Sequence, residues 1–227
     1  MDDKLVKLLS CVDHTLLSPA ATESDFRVLC DEAIEYQVAS VCVPPTRVEF
    51  CAKYLNGKIP VCTVVGFPNG YMLGHVKMYE TVRAINQGAE EIDMVINMGY
   101  VKEEAYNSVL SEIDAVRRSA DGRLLKVIIE TCLLTDEEKI KMCEVVGESG
   151  ADYIKTSTGF AGGGATREDV ALLRKHSPKH VKVKASGGIA SIEDAYEFME
   201  LGADRLGTSR IIKLVQGMAA DSSRISY

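Results

Sequence analysis

The amino-acid sequence predicts a single (β/α)8 barrel, the TIM-barrel fold class, over residues 1–227. Eight short apolar runs alternate with longer amphipathic stretches along the chain. The apolar runs are continuous rather than alternating, which is typical of parallel strands covered on both faces. No linker or shift in composition divides the chain, and 227 residues suit one such barrel. A doubly wound open sheet is the alternative fold.

The eight apolar runs are assigned as strands because they are short and rich in β-branched residues. In chain order they span residues 11–17, 39–43, 60–67, 91–97, 125–130, 152–157, 181–185 and 205–208. The amphipathic stretches between them predict helices at residues 22–36, 75–87, 106–120, 135–149, 167–176 and 191–201, with a short helix at 211–215.

Boundary residues support this alternation of strands and helices. Thr135, with Glu138 three residues later, is the signature of a capped helix start. Gly88, Gly150 and Gly202 each stand where a helix would stop, and each is followed by alanine and an acidic residue. This near-repetition before the fourth, sixth and eighth strands predicts repeated βα units.

The composition narrows the class of protein. The net charge is −7, from 26 basic and 33 acidic residues. This balance argues against nucleic acid as a partner, because a phosphate-binding surface needs a basic stripe. The apolar stretch at the N-terminus is short and broken by charge, so it does not predict a signal peptide. No run approaches the roughly 18 apolar residues of a membrane span, so no membrane partner is expected.

The cysteines indicate a reducing, cytoplasmic compartment. There are seven of them, an odd number, and no pair has the CxxC spacing. A disulfide framework and a structural zinc site are therefore not expected.

In a (β/α)8 barrel, function is expected at the carboxyl ends of the strands. Lys155 in the sixth strand and Lys184 near the end of the seventh are lysines within apolar runs, where burial is costly unless the group is paired or used. Asp93 in the fourth strand poses the same problem for a carboxylate. Since the sixth and seventh strands are neighbours, the two lysines are expected to face one site.

Two interpretations of these three residues remain open on spacing alone. Two ammonium groups in one site lower each other's pKa, which prepares a neutral amine for attack on a carbonyl group. Asp93 would then transfer protons during that reaction. The alternative is a structural ion-pair network. On the first interpretation, either lysine can be the nucleophile.

An anion site is predicted in the loops after the seventh and eighth strands, the usual position for phosphate in this fold. Gly187 and Gly188 follow the seventh strand, and Ser209 follows the eighth at the start of the short helix. Glycines let backbone N–H groups approach an anion, and a helix N-terminus adds a favourable dipole. Thr158 and Gly159, after the sixth strand, can close this site.

Three further polar residues lie in the first two strands. Asp13 and Thr15 are candidates for orienting substrate or for a supporting hydrogen bond, while Cys42 is more often a packed thiol than a nucleophile. The four histidines show no metal-ligand spacing, and the chain has no dinucleotide-binding or P-loop motif. No cofactor and no metal ion are therefore expected.

Five segments resemble the deoxyribose-phosphate aldolase family, and the resemblance covers nearly the whole chain. The combination of Lys-Thr-Ser-Thr-Gly with Lys-Ala-Ser-Gly-Gly, one βα unit later, is the specific part. The segments are 12–17 (Val-Asp-His-Thr-Leu-Leu), 41–45 (Val-Cys-Val-Pro-Pro), 91–97 (Glu-Ile-Asp-Met-Val-Ile-Asn), 154–160 (Ile-Lys-Thr-Ser-Thr-Gly-Phe) and 183–189 (Val-Lys-Ala-Ser-Gly-Gly-Ile).

The resemblance implies a cofactor-free class I aldolase on a (β/α)8 barrel. Such an enzyme reversibly cleaves 2-deoxy-D-ribose 5-phosphate, a small phosphosugar, to D-glyceraldehyde 3-phosphate and acetaldehyde. The resemblance assigns the Schiff base to Lys155 and proton transfer to Asp93 and Lys184. It assigns phosphate binding to four residues that match the family's positions: Gly159, Gly187, Gly188 and Ser209. It also implies a homo-oligomer, a dimer or a tetramer.

The sequence departs from the family at two positions. Arg210 stands where some members have a second serine, and Phe160 where some have a lysine. The last residue, Tyr227, matches a terminal tyrosine that can reach the site in some members. Two other functions remain as alternatives: a Schiff-base aldolase for another phosphosugar or a keto acid, and a non-catalytic phosphosugar-binding barrel.

Overall fold

The structure, a computed structural model, describes residues 2–224, with the side chains of residues 2–218. Its eight strands form a closed barrel in chain order, and every neighbouring pair is parallel. The barrel closes where β1 (Val12–Thr15) pairs with β8 (Arg205–Thr208), which places Asp13 beside Gly207. This closure confirms the predicted (β/α)8 barrel and rules out the open sheet.

The remaining strands and the helices follow the predicted alternation. The strands are β2 (Ser40–Val43), β3 (Val61–Val65), β4 (Glu91–Val95), β5 (Leu124–Ile128), β6 (Tyr153–Lys155) and β7 (Lys182–Ser186). The helices are α1 (Asp3–Leu9), α2 (Glu23–Tyr36), α3 (Val48–Leu55), α4 (Gly74–Asn86), α5 (Met98–Lys102), α6 (Tyr106–Ser119), α7 (Asp136–Glu148), α8 (Arg167–His176), α9 (Ile192–Glu200) and α10 (Ile211–Arg224). Within residues 2–224, no helix combines the length and apolar character needed to cross a membrane.

Four helices differ from the prediction. Helices α1, α3 and α5 have seven, eight and five residues, and such short stretches show too little of the helical period to be recognised. The side chain of Asp2 accepts the N–H of Leu5 and so caps α1. The predicted end of the last helix at residue 215 is wrong, because α10 continues to Arg224.

The strands divide their side chains between two faces, as the two-residue period of a strand requires. Ile92 of β4 and Ile154 of β6 are fully buried in the large apolar cluster that joins the barrel to its helices. Their neighbours Asp93 and Lys155 therefore point into the barrel. The residues inside the barrel also include a small separate cluster of Cys42, Cys62 and Val64.

Candidate active site

The carboxylate of Asp93 is the centre of the polar barrel interior. Its Oδ2 atom accepts hydrogen bonds from Nζ of Lys155 and Nζ of Lys184, each at 2.7 Å. Its Oδ1 atom accepts from Nζ of Lys126 at 2.9 Å and from the thiol of Cys62 at 3.2 Å. Strand register explains the arrangement, because Asp93 lies beside Lys126, and Lys155 beside Lys184. The three predicted residues are therefore in contact.

Asp13 of β1 forms a second centre next to the first. Its carboxylate accepts from Nζ of Lys184, from the Arg205 guanidinium at 2.7 Å and from the Ser40 hydroxyl at 2.7 Å. The half-buried Thr15 hydroxyl donates to the backbone carbonyl of Asp13 at 2.8 Å. Asp13 thus contacts Lys184 directly, and a supporting hydrogen bond is one of the two roles predicted for Asp13, beside that of orienting substrate.

A third carboxylate, Glu91, completes the ion cluster. It accepts from Nζ of Lys126 at 2.6 Å and from the Arg205 guanidinium at 3.1 Å. The ion cluster contains one more cation than carboxylates, and every member is buried. Its members are Asp13, Glu91, Asp93, Lys126, Lys155, Lys184 and Arg205.

Attraction between opposite charges sets the protonation states here. Burial by itself raises the pKa of Asp93, but the ammonium groups of Lys126, Lys155 and Lys184 hold it well below its ordinary 3.8. Burial lowers the pKa of Lys184, but the carboxylates of Asp13 and Asp93 outweigh burial and raise that pKa above 10.5. The predicted lowering is therefore wrong for Lys184, because two carboxylates contact it directly.

Lys155 differs from the other two buried lysines in its partners. Within the described residues its ammonium group has one carboxylate partner, Asp93, whereas Lys184 contacts Asp13 and Asp93. Lys126 contacts Glu91 and Asp93, with Asp13 at 3.8 Å. Lys155 is also the last residue of β6, and 4% of it is exposed, whereas Lys126 and Lys184 are fully buried. Loss of a proton from Lys155 breaks one ion pair rather than two or three.

Two thiols inside the barrel lie close to Asp93, as the ligands of a metal ion would. Donor atoms of Cys42, Cys62 and Asp93 lie within 4.8 Å of one another. However, Nζ of Lys126 lies 3.4 Å from the Cys62 sulfur and 2.9 Å from Asp93. An ammonium group already neutralises these donors, so the set does not suit a metal cation. Cys42 itself is 1% exposed and packs as a small apolar side chain, as its sequence context suggested.

Four residues in three loops were predicted as phosphate contacts, and their backbone N–H groups share one property. Gly159, Gly187 and Gly188 have φ values of +83°, +73° and +74°, a region that favours glycine. Their N–H groups, and that of Ser209 before α10, donate to no acceptor among residues 2–218. Backbone N–H groups without an acceptor are able to bind an anion.

Close packing holds the loops after β6 and β7 together. The N–H of Ala165 donates to the carbonyls of Ser186 and Gly187 at 3.0 and 3.1 Å. A Cβ atom on Gly164 would lie 2.6 Å from the carbonyl carbon of Gly187 and 2.7 Å from the N atom of Gly188. Only glycine therefore fits at this contact.

Thr158, predicted as a phosphate contact, has both of its donor groups bonded to Glu130. Its N–H donates to both carboxylate oxygens of Glu130 at 3.2 Å, and its hydroxyl donates to the same carboxylate. These groups are therefore already engaged by an anionic side chain. The neighbouring Phe160 is 53% exposed, and its ring meets Phe67 edge-on at 5.2 Å. Arg210 is exposed, and Tyr227 lies outside the described residues.

The sequence interpretation missed four charged residues of the barrel interior and rim. Lys126 lies in the apolar run of β5, and Glu91 and Arg205 begin β4 and β8, so the test applied to Lys155 would have found them. Glu130 carries no such signal. Its importance depends on a contact with Thr158, 28 positions away, which a linear sequence does not show.

Comparison with known proteins gives matches along almost all of the chain. Residues 7–220 match the DeoC/LacD family of aldolases. A deoxyribose-phosphate aldolase of Clostridioides difficile is 50% identical over 209 residues, 92% of this chain and 95% of that protein. One from Clostridium botulinum is 52% identical over 211 residues, 93% and 96% of the two chains.

Solved structures agree with these sequence matches. The aldolase QR15 superposes with a TM-score of 0.91 at 37% identity and covers 100% of both chains. A tetrameric deoxyribose phosphate aldolase from Aeropyrum pernix gives a TM-score of 0.85 at 31% identity, over 97% of this chain and 99% of that one. Both the fold and the sequence therefore point to aldolases.

Proposed function

The chain belongs to the DeoC/LacD family of aldolases, and from that premise we infer an aldehyde-lyase that acts through an imine on Lys155. It reversibly cleaves 2-deoxy-D-ribose 5-phosphate to D-glyceraldehyde 3-phosphate and acetaldehyde. The relatives that are about 50% identical over most of their length support this substrate. The observation that carries the choice of nucleophile is that Lys155 has a single carboxylate partner among the side chains of residues 2–218.

Imine formation needs a neutral amine within reach of the substrate. Lys155 needs to leave one ion pair to supply it, and it ends a strand at the rim of the barrel. Its nitrogen attacks C1 of the open-chain sugar, and loss of water from the carbinolamine gives a protonated imine. Asp93 accepts the proton that the amine releases, because its Oδ2 already receives the Lys155 hydrogen bond.

The protonated imine draws electrons from the bond between C2 and C3. The C3 hydroxyl loses its proton, the C2–C3 bond breaks, and D-glyceraldehyde 3-phosphate leaves. The remaining enamine takes a proton at its terminal carbon, and hydrolysis of the new imine releases acetaldehyde and the amine. In this proposal Asp93 and Lys184 relay the protons, since both Lys155 and Lys184 donate to one oxygen of Asp93.

The phosphate end of the sugar is bound at a distance from the reacting carbons. The free N–H groups of Gly159, Gly187, Gly188 and Ser209 support this part of the proposal. Binding there fixes the orientation of the sugar along the mouth of the barrel. Asp13 supports Lys184 in the relay, whereas Thr15 and Cys42 contribute to the shape of the interior.

Chemical trapping tests the nucleophile directly. Borohydride reduces an imine to a stable secondary amine, so treatment in the presence of acetaldehyde should label one lysine with an ethyl group. Peptide mass mapping is expected to find the ethyl group on Lys155. Labelling of Lys184 or Lys126 instead, or no labelling in a protein that cleaves the sugar, would contradict the assignment.

Self-association and a cytoplasmic location complete the proposal. The similar aldolase from Aeropyrum pernix is a tetramer, which supports a homo-oligomer of this chain. All seven cysteines are free thiols, which fits a reducing compartment. Light scattering coupled to gel filtration measures the mass in solution, and a mass of 24.8 kDa would contradict self-association.

A further inference from the structure

Glu130 is a buried carboxylate at the barrel rim that the proposed mechanism does not use. It follows β5 and is 2% exposed. Both of its oxygens accept the N–H of Thr158, and the Thr158 hydroxyl donates to it as well. The same hydroxyl accepts the N–H of Phe160 at 3.0 Å. One carboxylate therefore organises the first turn of the loop after β6.

The backbone at Glu130 is held in an unusual conformation. Its φ of +50° and ψ of +67° lie in the left-handed region, which costs free energy in a residue with a side chain. The N–H groups on either side hold it there, since Ile129 donates to the carbonyl of Lys155 at 3.0 Å and Thr131 to that of Thr156 at 2.9 Å. This conformation turns the carboxylate towards the loop.

The residue after Thr158 is Gly159, whose free N–H belongs to the proposed phosphate site. Gly159 also lies against Gly187, because a Cβ atom on Gly187 would be 3.5 Å from the Cα atom of Gly159. Fixing Thr158 therefore fixes the distance between two phosphate donors that come from different loops. The Glu130 carboxylate would repel a phosphate in direct contact with it. Its effect on phosphate binding is therefore indirect, through its hydrogen bonds to Thr158 in the loop.

We propose that Glu130 is a positioning residue that sets the affinity for the phosphate end of the substrate by fixing the loop after β6. This inference rests on the proposed function. Glu130 contacts neither Asp93 nor Lys155 through its side chain, so it has no part in the proton relay. Its loss should therefore weaken binding of the phosphorylated sugar without slowing the chemistry of an unphosphorylated one.

The test compares two substrates in E130Q, which keeps the size of the side chain. The amide has one acceptor oxygen, so at least one of the hydrogen bonds from Thr158 is lost. KM for 2-deoxyribose 5-phosphate should rise about tenfold, the equivalent of one charge-assisted hydrogen bond. The ratio kcat/KM for 2-deoxyribose should stay within about twofold of the wild type.

Asp152→Asn is the matched control. Asp152 accepts the backbone N–H of Leu125 at 2.8 Å, at the opposite end of the same two strands. It should leave the KM values for both sugars unchanged. T158V tests the same contact through the other residue, because valine lacks the hydroxyl that donates to Glu130. It should raise KM for the phosphorylated sugar alone.

The outcomes separate the two proposals. A wild-type protein that cleaves neither sugar contradicts the proposed function. A wild type that cleaves 2-deoxyribose 5-phosphate, with unchanged KM in E130Q and T158V, overturns the role of Glu130. An equal loss of kcat/KM on both sugars also overturns it, because that result describes general damage to the barrel. T158V decides the matter if E130Q does not fold.

Discussion

Lys155 and Lys184 are register partners on β6 and β7, and both ammonium groups donate to the same atom, Oδ2 of Asp93, at 2.7 Å. The two ammonium groups repel each other, and the negative charge of the Asp93 carboxylate between them offsets that repulsion. In the proposed relay, a proton can pass between the two nitrogens through this single atom once one of them is neutral. The lysines differ in their other contacts, because Lys184 also pairs with Asp13, and we therefore expect different results from their substitution.

Lys155→Arg should retain the fold and lose turnover. Arginine keeps the positive charge beside Asp93, but its guanidinium does not lose a proton in proteins and cannot form the imine. We expect kcat for sugar cleavage to fall by at least about ten-thousandfold. K182R, at an exposed lysine of β7, is the control and should keep full activity. Measurable turnover in K155R would show that another lysine carries the reaction.

Lys184→Leu should lose both turnover and stability. Removal of the ammonium group takes one cation from Asp13 and from Asp93, which are both fully buried. We expect kcat/KM to fall by about 10²- to 10⁴-fold, the range for a lost acid–base group. The free energy of unfolding in urea should fall by about 3 kcal/mol. Near-normal activity would remove Lys184 from the proton relay.

The ion cluster makes stability depend on pH at both extremes. The folded state holds the pKa of Asp93 below 3.8, so this carboxylate stabilises the fold above that pH and the effect is lost as pH falls. The folded state raises the pKa of Lys184 above 10.5, so its contribution is complete below 10.5 and is lost as pH rises further.

Urea unfolding of the wild type and D93N tests the acid limb of this dependence. The free energy of unfolding of the wild type should fall more steeply below pH 3.8 than that of D93N, because the variant lacks one titrating carboxylate. Equal slopes would show that Asp93 contributes nothing to acid unfolding.

Gly164→Ala should damage the phosphate site. The new Cβ would meet backbone atoms of Gly187 and Gly188 at less than 3 Å, so one loop must move. We expect a higher KM for 2-deoxyribose 5-phosphate and a loss of about 1–3 kcal/mol in stability. Gly74→Ala is the control, because no atom lies within 4 Å of its added Cβ and alanine favours helices. Identical KM values in the two variants would contradict the proposed packing.

The sequence predicted those parts of the site that local chemistry marks. A lysine or an aspartate in an apolar strand needs a reason, and this rule found Lys155, Lys184 and Asp93. The predicted pKa of Lys184 was wrong because its partner Asp13 is 171 positions away. The sequence shows that Lys155 and Lys184 lie on consecutive strands. It does not show that closure of the barrel brings the Asp13 carboxylate of β1 into contact with Lys184.

For the fold, too, the features marked by local sequence were predicted and those that depend on distant contacts were not. Alternation of apolar runs and glycine stops predicted the barrel, since each unit repeats a local pattern. Helices α1, α3 and α5 were missed because they are too short to show a period. Glu130 was missed because its left-handed backbone and its contact with Thr158 exist only once β5 and β6 are paired.

Closure of the barrel between β1 and β8 also has a consequence for the order in which the ion cluster can assemble. Asp13 accepts a hydrogen bond from Arg205, 192 positions later in the chain. This contact cannot form until the last strand has been synthesised. Until β8 is synthesised, Asp13 lacks its guanidinium partner and β1 lacks a neighbour on one side. Contacts between such distant segments are slow to form, because a long loop must close first. A nascent chain without β8 therefore has an incomplete ion cluster, in which Asp13 lacks one of its cations.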